Sequence, residues 1–399
     1  EFEDLVQSFD VAFASCGVHA IEQPEIIFES AASSFSDVLG VLNTVYFDAG
    51  KAMYEACKGK DVIVSTALSR SIALHVAEKL QLPCVCAHFV ASDEPTIQFP
   101  PVEYGAYGPT WVVRSKLFRP IWNKLLYTIR GLSIVKGAVR SGLADSDKAL
   151  RAYIGLNPAN PLVTMKDVAS QPSLHAYSAV VVPRPPDWPS HVAVTGYWRM
   201  LQRSPSVHNK EDQELDNFLD TAAQRGKKVL FVGFGSMKDD RGLVSLICKV
   251  VINSSELCAI ISSSEDVPKH ESLFVCRFNV QHDQVFPRCS CIIHHGGAGT
   301  TAAAYYAGTP SVVIPILQWS DQMFWASRTT TLGCGVALDR ETASASPKAV
   351  QSSIEACFTK KCVTAAKAVA SALQNEPSGT ATAAHLLATY LDHISYNGL

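Results

Sequence analysis

The sequence predicts an α/β protein made of two doubly wound domains, each built on a parallel sheet. Three observations carry this. Apolar β-branched runs alternate with helix-like stretches in both halves. A proline cluster at residues 183–189 separates the halves and reads as a stiff interdomain linker. Residues 291–316, CIIHHGGAGTTAAAYYAGTPSVVIPI, read as strand, glycine-rich turn, helix, turn and strand. The expected division is residues 1–182, a linker at 183–190, residues 191–375, and a closing segment at 376–399.

In the first half, residues 31–60 suggest a helix pair, with Val38, Val41, Leu42, Val45 and Tyr46 at helical spacing. Residues 61–66 (DVIVST) form a compact strand. Residues 69–80 make a helix, Pro83 restarts the chain, and residues 84–90 form a second strand. Strand, helix, strand in this order implies a right-handed parallel crossover. Residues 91–120 then make a long irregular segment with five prolines and the aromatics Phe99, Tyr104, Tyr107, Trp111 and Phe118. So long a loop in a compact domain is usually functional. Open parallel sheets bind ligands beyond the carboxyl ends of their strands. His88, Phe89, Asp93, Phe99 and Trp111 are therefore candidates to line an apolar pocket; the plainer reading is aromatics covering a domain edge. Residues 117–139 form an amphipathic helix, with Trp122, Leu125, Leu126 and Ile129 expected on its inner face. Its basic residues raise peripheral membrane contact as a secondary expectation. Residues 180–182 read as a strand end.

In the second half, residues 211–225 form an acidic helix with Leu215, Phe218 and Leu219 inward. Residues 228–234 make a strand running into Gly233-Phe234-Gly235-Ser236. A helix follows at 243–251, then strands at 257–262 and 273–278. The stretch at residues 291–316 explains itself chemically. Its glycines let a ligand approach the backbone with little side chain in the way. The first N–H groups of the helix lack intrahelical partners and carry the positive end of its dipole, which suits a diphosphate. Thr300 and Thr301 offer hydroxyls and His295 a ring N–H. Gly308 closes the helix and Pro310 prevents its continuation. A glycine turn needed only for tight packing is the plainer alternative; the adjacent histidines and threonines weigh against it.

HHGGAGTT, followed by DQMFW at residues 321–325, resembles the nucleotide-sugar signature of family 1 glycosyltransferases, in their sterol and antibiotic branch. VTGYW (194–198), FVGFGSM (231–237) and VQHDQVFPR (280–288) match upstream in the same order. The resemblance implies the GT-B arrangement, two Rossmann-like domains facing across a cleft. It implies a UDP-sugar donor held by Gly235, Ser236, Val280, His295, Gly297, Ala298, Gly299 and Thr300. Val280 lies in the loop that holds the base, whereas His282 and Asp283 suit capping of the next turn. Asp321 and Gln322 would hold sugar hydroxyls. The stretch 316–320 before that pair is longer than usual, which leaves the sugar open, with glucose as the default. The resemblance also implies a last helix that crosses back onto the first domain.

The implied reaction moves a hexose, with inversion, to a hydroxyl of an apolar acceptor such as a sterol, terpenoid or polyketide. No cofactor and no metal is expected, because the helix start, Ser236, His295 and Thr300 can stabilise the leaving diphosphate. Asp145-Ser146-Asp147 lies away from the donor motifs and reads as a solvated helix start. No catalytic base is assigned. Family members carry it in an N-terminal glycine-rich turn (GxRGDVxP-like), which residues 1–30 do not match, so an opening strand and turn are expected to be missing. His19, His88 and Asp93 qualify by residue type alone. A binding protein without transfer activity is the alternative. A nicotinamide oxidoreductase ranks last, since GFGSMK carries only the first two glycines of its motif.

Composition bounds the rest. The chain has 399 residues, 47% apolar and 18% charged, which fits a globular protein of two domains. A formal charge of −3 gives no electrostatic case for nucleic acid. No apolar run is long enough for a membrane helix. The twelve cysteines show no zinc-site spacing and read as buried free thiols in a reducing, cytoplasmic setting.

Overall fold

The computed structural model describes residues 3–15, 35–91, 94–102, 115–158, 170–199, 210–235, 242–263, 267–277, 280–317 and 320–397. Two sheets organise the chain, and every strand pair in both is parallel. The first contains β1 (Ile63–Thr66), β2 (Cys84–His88), β3 (Ser173–His175) and β4 (Val192–Val194), in that spatial order. The second contains β5 (Lys228–Gly233), β6 (Leu257–Ser262), β7 (Leu273–Cys276), β8 (Cys291–His294), β9 (Ser311–Val313) and β10 (Gly335–Ala337). Its order is β10-β9-β8-β5-β6-β7. The architecture is the expected pair of Rossmann-like domains.

The continuous apolar runs of the second sheet follow from burial on both faces. Alternate residues of one strand serve different cores. Leu230 and Val232 pack with Leu243, Ile247, Val350 and Ile354 from the helices Leu243–Ile252 and Pro347–Cys357. Val229 and Phe231 pack on the opposite face with Leu215 and Leu219 of the helix Lys210–Gln224 and with Phe286 and Ala304. A period of two along the strand thus feeds two helical layers.

Several expectations are corrected. The first helical region is one helix, Phe35–Cys57, not a pair. Gly50 does not break it, because its missing side chain is what lets Leu150 of the helix Leu143–Tyr153 pack close. The helix Phe118–Arg140 buries Leu126 as expected, but with Asn123 and Tyr127 rather than Leu125 and Ile129, which are exposed. Asn123 helps set that rotation, its Nδ2 donating to the Ile97 carbonyl at 2.8 Å. Residues 180–182 form a turn rather than a strand end. β4 lies beyond the proline cluster yet pairs with β3, so the chain leaves the first sheet after residue 194 rather than at 182. Asp147 is not solvated. It is buried, accepts from Tyr46 Oη at 2.5 Å and pairs with His75 Nε2 at 2.7 Å. None of the eleven described cysteines is in a disulfide, and ten of them are buried. Among the described residues no helix is long and apolar enough to cross a membrane.

Among the described residues, the two halves meet through a buried cluster and through the closing helix. One buried cluster joins Tyr177, Val181, Val182 and Trp188 to Tyr305, Phe324 and Trp325 of the second half. There, Arg328 Nε donates to the Val181 carbonyl at 3.0 Å. The closing helix, Gly379–Asn397, returns to the first sheet, where Ala383, Leu387 and Tyr390 pack with Val85 and Leu174. That return depends on Gly379. A Cβ there would lie 2.5 Å from the Gly196 carbonyl oxygen, and closer still to that of Tyr197. Both obstacles are backbone and cannot swing away. Gly379→Ala should therefore destabilise the fold by about 1–3 kcal/mol, as overpacking does, and speed proteolysis of the closing helix. Unchanged denaturant midpoint and cleavage would contradict this packing.

Candidate functional site

The connectivity of the second sheet creates the site. From β5 the chain passes to β6 and β7 on one side, then returns to β8 on the other. The crossovers on either side of β5 therefore diverge, leaving a crevice at the carboxyl ends of β5 and β8. Gly233 and His294 are register partners there. The loops that follow, Phe234-Gly235 and His295-Gly296-Gly297, consequently lie side by side.

Each glycine has an identifiable task. Gly235 adopts φ +63°, and a Cβ on it would sit 3.1 Å from His295 Cε1. A Cβ on Gly297 would lie 2.5 Å from His295 Nε2. The imidazole of His295 is thus seated between two glycines that leave room for it. Gly296 adopts φ +93°, close against the Gln322 carbonyl and Val313. Gly299 differs: a Cβ there would meet nothing within 4 Å. Packing does not require a glycine at that position, but a ligand approaching the backbone would.

The two adjacent histidines do different work. His294 is fully buried and its Nδ1 accepts from the Gly296 N–H at 3.1 Å, which shapes the turn. Burial, reinforced by the neighbouring imidazoles of His295 and His282, pushes its pKa down to about 3. Burial likewise pushes His295 down to about 4. Both rings are neutral near pH 7, so each carries one ring N–H. His295 Nδ1 is buried and has no hydrogen-bond partner among the described residues. An unpartnered buried polar atom is costly unless something completes it.

The helix Ala298–Ala307 begins at Gly297 with no side-chain cap. Thr301 N–H makes the first bond, to the Gly297 carbonyl at 3.0 Å. The N–H groups of Ala298, Gly299 and Thr300 precede that bond and point out of the helix start. Thr301 is corrected as a ligand donor: its hydroxyl is buried and donates back to the Gly297 carbonyl at 2.8 Å. Thr300, half-buried in the first turn, makes no side-chain hydrogen bond among the described residues. An uncapped start beside a neutral imidazole can receive a phosphate group.

The remaining candidates are more scattered. Gln322 reaches the turn through its backbone carbonyl, close to Gly296, while its Oε1 accepts from the N–H groups of Ile316 and Leu317 at 2.7 and 2.9 Å. Its side-chain oxygen thus braces the loop after β9. Asp321 precedes the helix Gln322–Thr331 without capping it; its Oδ2 accepts from Trp325 Nε1 at 3.0 Å. Val280 is half-buried against the helical layer of Leu215 and Phe286. The short helix His282–Val285 is capped at Gln281 without a side-chain bond, not by His282 or Asp283. His282 instead stacks on Phe286, with ring centroids 4.4 Å apart.

The acceptor candidates do not form one wall. Phe89 is 48% exposed and meets Trp198 edge to face. His88 is only 2% exposed and stacks on His175. Phe99 packs between Trp188 and Phe324, at the contact of the two halves. Ser236, Asp93, Trp111 and His19 lie outside the described residues.

Known proteins resemble this chain in sequence and in fold. Residues 277–389 match the family model described as erythromycin biosynthesis protein CIII-like, C-terminal domain. The sterol 3-beta-glucosyltransferase of Yarrowia lipolytica is 26% identical over 409 residues, an alignment taking in 98% of this chain and 26% of that protein. The sterol 3-beta-glucosyltransferase of Cryptococcus neoformans is 28% identical, over 94% of this chain and 24% of its own length. The chain thus spans about a quarter of the curated relatives it matches. Among solved structures, the calicheamicin glycosyltransferase CalG4 superposes with a TM-score of 0.62 at 16% identity, covering 98% of this chain and 89% of its own. The spinosyn rhamnosyltransferase SpnG, complexed with thymidine diphosphate, gives 0.56 at 15% identity, over 96% and 89%. The fold is that of a GT-B glycosyltransferase. Family model, relatives and fold together support a family 1 glycosyltransferase of the sterol and antibiotic type.

Two predictions follow from the geometry. Gly299→Ala should raise thermal stability by up to about 1 kcal/mol, since alanine is the better helix former, while weakening binding of UDP. Equal or tighter UDP binding would place the ligand elsewhere. The second concerns pH. Below about 6.5 the unfolded chain protonates His295, but the folded chain resists until about 4. Folding stability should therefore fall as pH drops through that window. His295→Gln should flatten the slope; an unchanged slope in urea titrations would show that the ring is not buried neutral.

Proposed function

We propose that the chain binds a UDP-sugar, UDP-glucose by default, at the β5–β8 crevice and transfers its hexose to a hydroxyl of an apolar acceptor. The observation that carries this reading is the uncapped start of the helix Ala298–Ala307, open at Gly299 and flanked by the unpartnered Nδ1 of His295. The name of the yeast relatives, sterol 3-beta-glucosyltransferase, supports both glucose and a sterol-like acceptor. The thymidine diphosphate in SpnG supports a nucleoside diphosphate as the leaving group.

In this mechanism the acceptor oxygen forms a bond to the anomeric carbon as the bond from that carbon to the diphosphate oxygen breaks on the opposite face. Configuration inverts, and the acceptor proton passes to a base. The transition state has oxocarbenium character. The N–H groups of Ala298, Gly299 and Thr300, with His295 and Ser236, take up the charge developing on the diphosphate. The three amides and the His295 ring are fixed before the reaction, so little reorganisation opposes it. No cation is needed at the diphosphate in this scheme. Gly235 and Gly297 hold the imidazole in place. Val280 serves the base, and Asp321 and Gln322 the sugar. Phe89, Phe99, Trp111 and Asp93 belong to the acceptor side of the proposal, with His88 buried rather than in contact with the acceptor; the protein works in the cytoplasm with peripheral contact to a membrane. The base itself is not assigned.

The test pairs binding with turnover. UDP-glucose is titrated by calorimetry, and product is sought by mass spectrometry with cholesterol or ergosterol as acceptor. Binding together with a hexose adduct is the expected result. Binding without any adduct across sterol, terpenoid and polyketide alcohols would favour a binding protein. Absence of binding to UDP, UDP-glucose and their thymidine counterparts would overturn the reading. His295→Ala should weaken UDP by about ten- to a hundredfold, the usual worth of a hydrogen bond to a charged group.

A further inference from the structure

Away from the β5–β8 crevice, the first sheet brings together three side chains of metal-ligating type. His88 ends β2 and His175 ends β3, and the two residues are register partners. Their side chains therefore leave the sheet on the same face, with ring centroids 4.8 Å apart and planes 17° from parallel. Glu94, six positions after His88, returns to the same place. One ligand atom from each of the three lies within 4.8 Å of the others. All are buried: His88 is 2% exposed, His175 0% and Glu94 4%. Apolar residues are the ordinary choice at such positions. This is the one grouping of its kind among the described residues.

We propose that His88, His175 and Glu94 form a divalent-cation site, suited to zinc, that pins the loop after β2 to the ends of β2 and β3. Two imidazoles and one carboxylate are a recurrent zinc ligand set. Tetrahedral ligands at the usual zinc bond lengths lie about 3.3 Å apart, so the present separations close by side-chain rotations of about 1.5 Å or less. The surroundings hold the ligands in place. Ser173 Oγ donates to Glu94 Oε1 at 3.0 Å, and Trp188 Nε1 donates to the Glu94 carbonyl at 3.2 Å. The Trp188 ring lies 4.7 Å from that of His175. Such outer contacts orient ligands in metal sites generally.

Position suggests what the cation does. Trp188 belongs to the turn between β3 and β4, and Phe99, farther along the pinned loop, meets Phe324 of the second half. The cation therefore staples the segment through which the two halves touch. Burial of all three ligands keeps substrate away, so the role is structural.

The test uses the full chain, stripped with chelator and dialysed against zinc alone. We expect one zinc retained per chain by elemental analysis and a rise in melting temperature. Cobalt in place of zinc should give visible d–d bands without thiolate-to-cobalt charge transfer, which separates this site from the cysteines. Glu94→Gln preserves shape and the Ser173 bond, and should weaken zinc at least about tenfold; His175→Asn should do the same. Failure to retain zinc would overturn the proposal, leaving a histidine–carboxylate pair. So would thiolate charge transfer, or equal zinc affinity in both variants. The readout is metal content, so it is independent of whether the chain transfers sugar.

Discussion

One constraint governs the second half: β5 and β8 must be neighbours although β6 and β7 separate them in the chain. That adjacency opens the crevice, and it sets the helix Ala298–Ala307 so that its uncapped start faces the turn after β5. The features nearby make sense only with this in place. Gly235 gives way to His295, Gly297 gives way to it from the other side, and Gly296 lets the turn pass under Gln322. The sheet is held by residues with no polar role at all, such as Leu230, Ile261 and Ile293. The hydrophobic pattern therefore fixes the position of polar groups that it does not touch.

The first half depends on a different constraint, the aromatic cluster that joins it to the second. Tyr177, Trp188, Phe324 and Trp325 meet there, and Arg328 reaches across to the Val181 carbonyl. The closing helix adds a second tie at Gly379. A contact of this kind is partly polar and partly aromatic. It fixes how the halves meet through several small interactions rather than one large one.

Much of this was legible in the sequence, for reasons that can be stated. The strand–turn–helix–strand at residues 291–316 was readable because β-branched runs, a glycine cluster and an alanine-rich helix with Gly308 and Pro310 behind it all agree. Parallel topology followed from alternation. What sequence could not give was rotation and register. The inward face of the helix Phe118–Arg140 is set partly by a bond from Asn123 to a distant carbonyl. The division of labour between His294 and His295 depends on one ring meeting the Gly296 amide. Thr301 looked like a ligand donor because hydroxyls on helices are read without their back-bonds. His175 drew no notice, since its meaning appears only when β3 lies beside β2. The capture of residues 192–194 by the first sheet was likewise a pairing fact, invisible to a proline count.

The central claim is that a diphosphate rests on the amides that open the helix Ala298–Ala307. Amide hydrogen exchange on the full chain, with and without saturating UDP, tests it most directly. The account predicts that exchange slows at Ala298, Gly299 and Thr300 while the amides of the closing helix stay unchanged. UDP binding that leaves those three amides unprotected, with protection arising elsewhere, would contradict it.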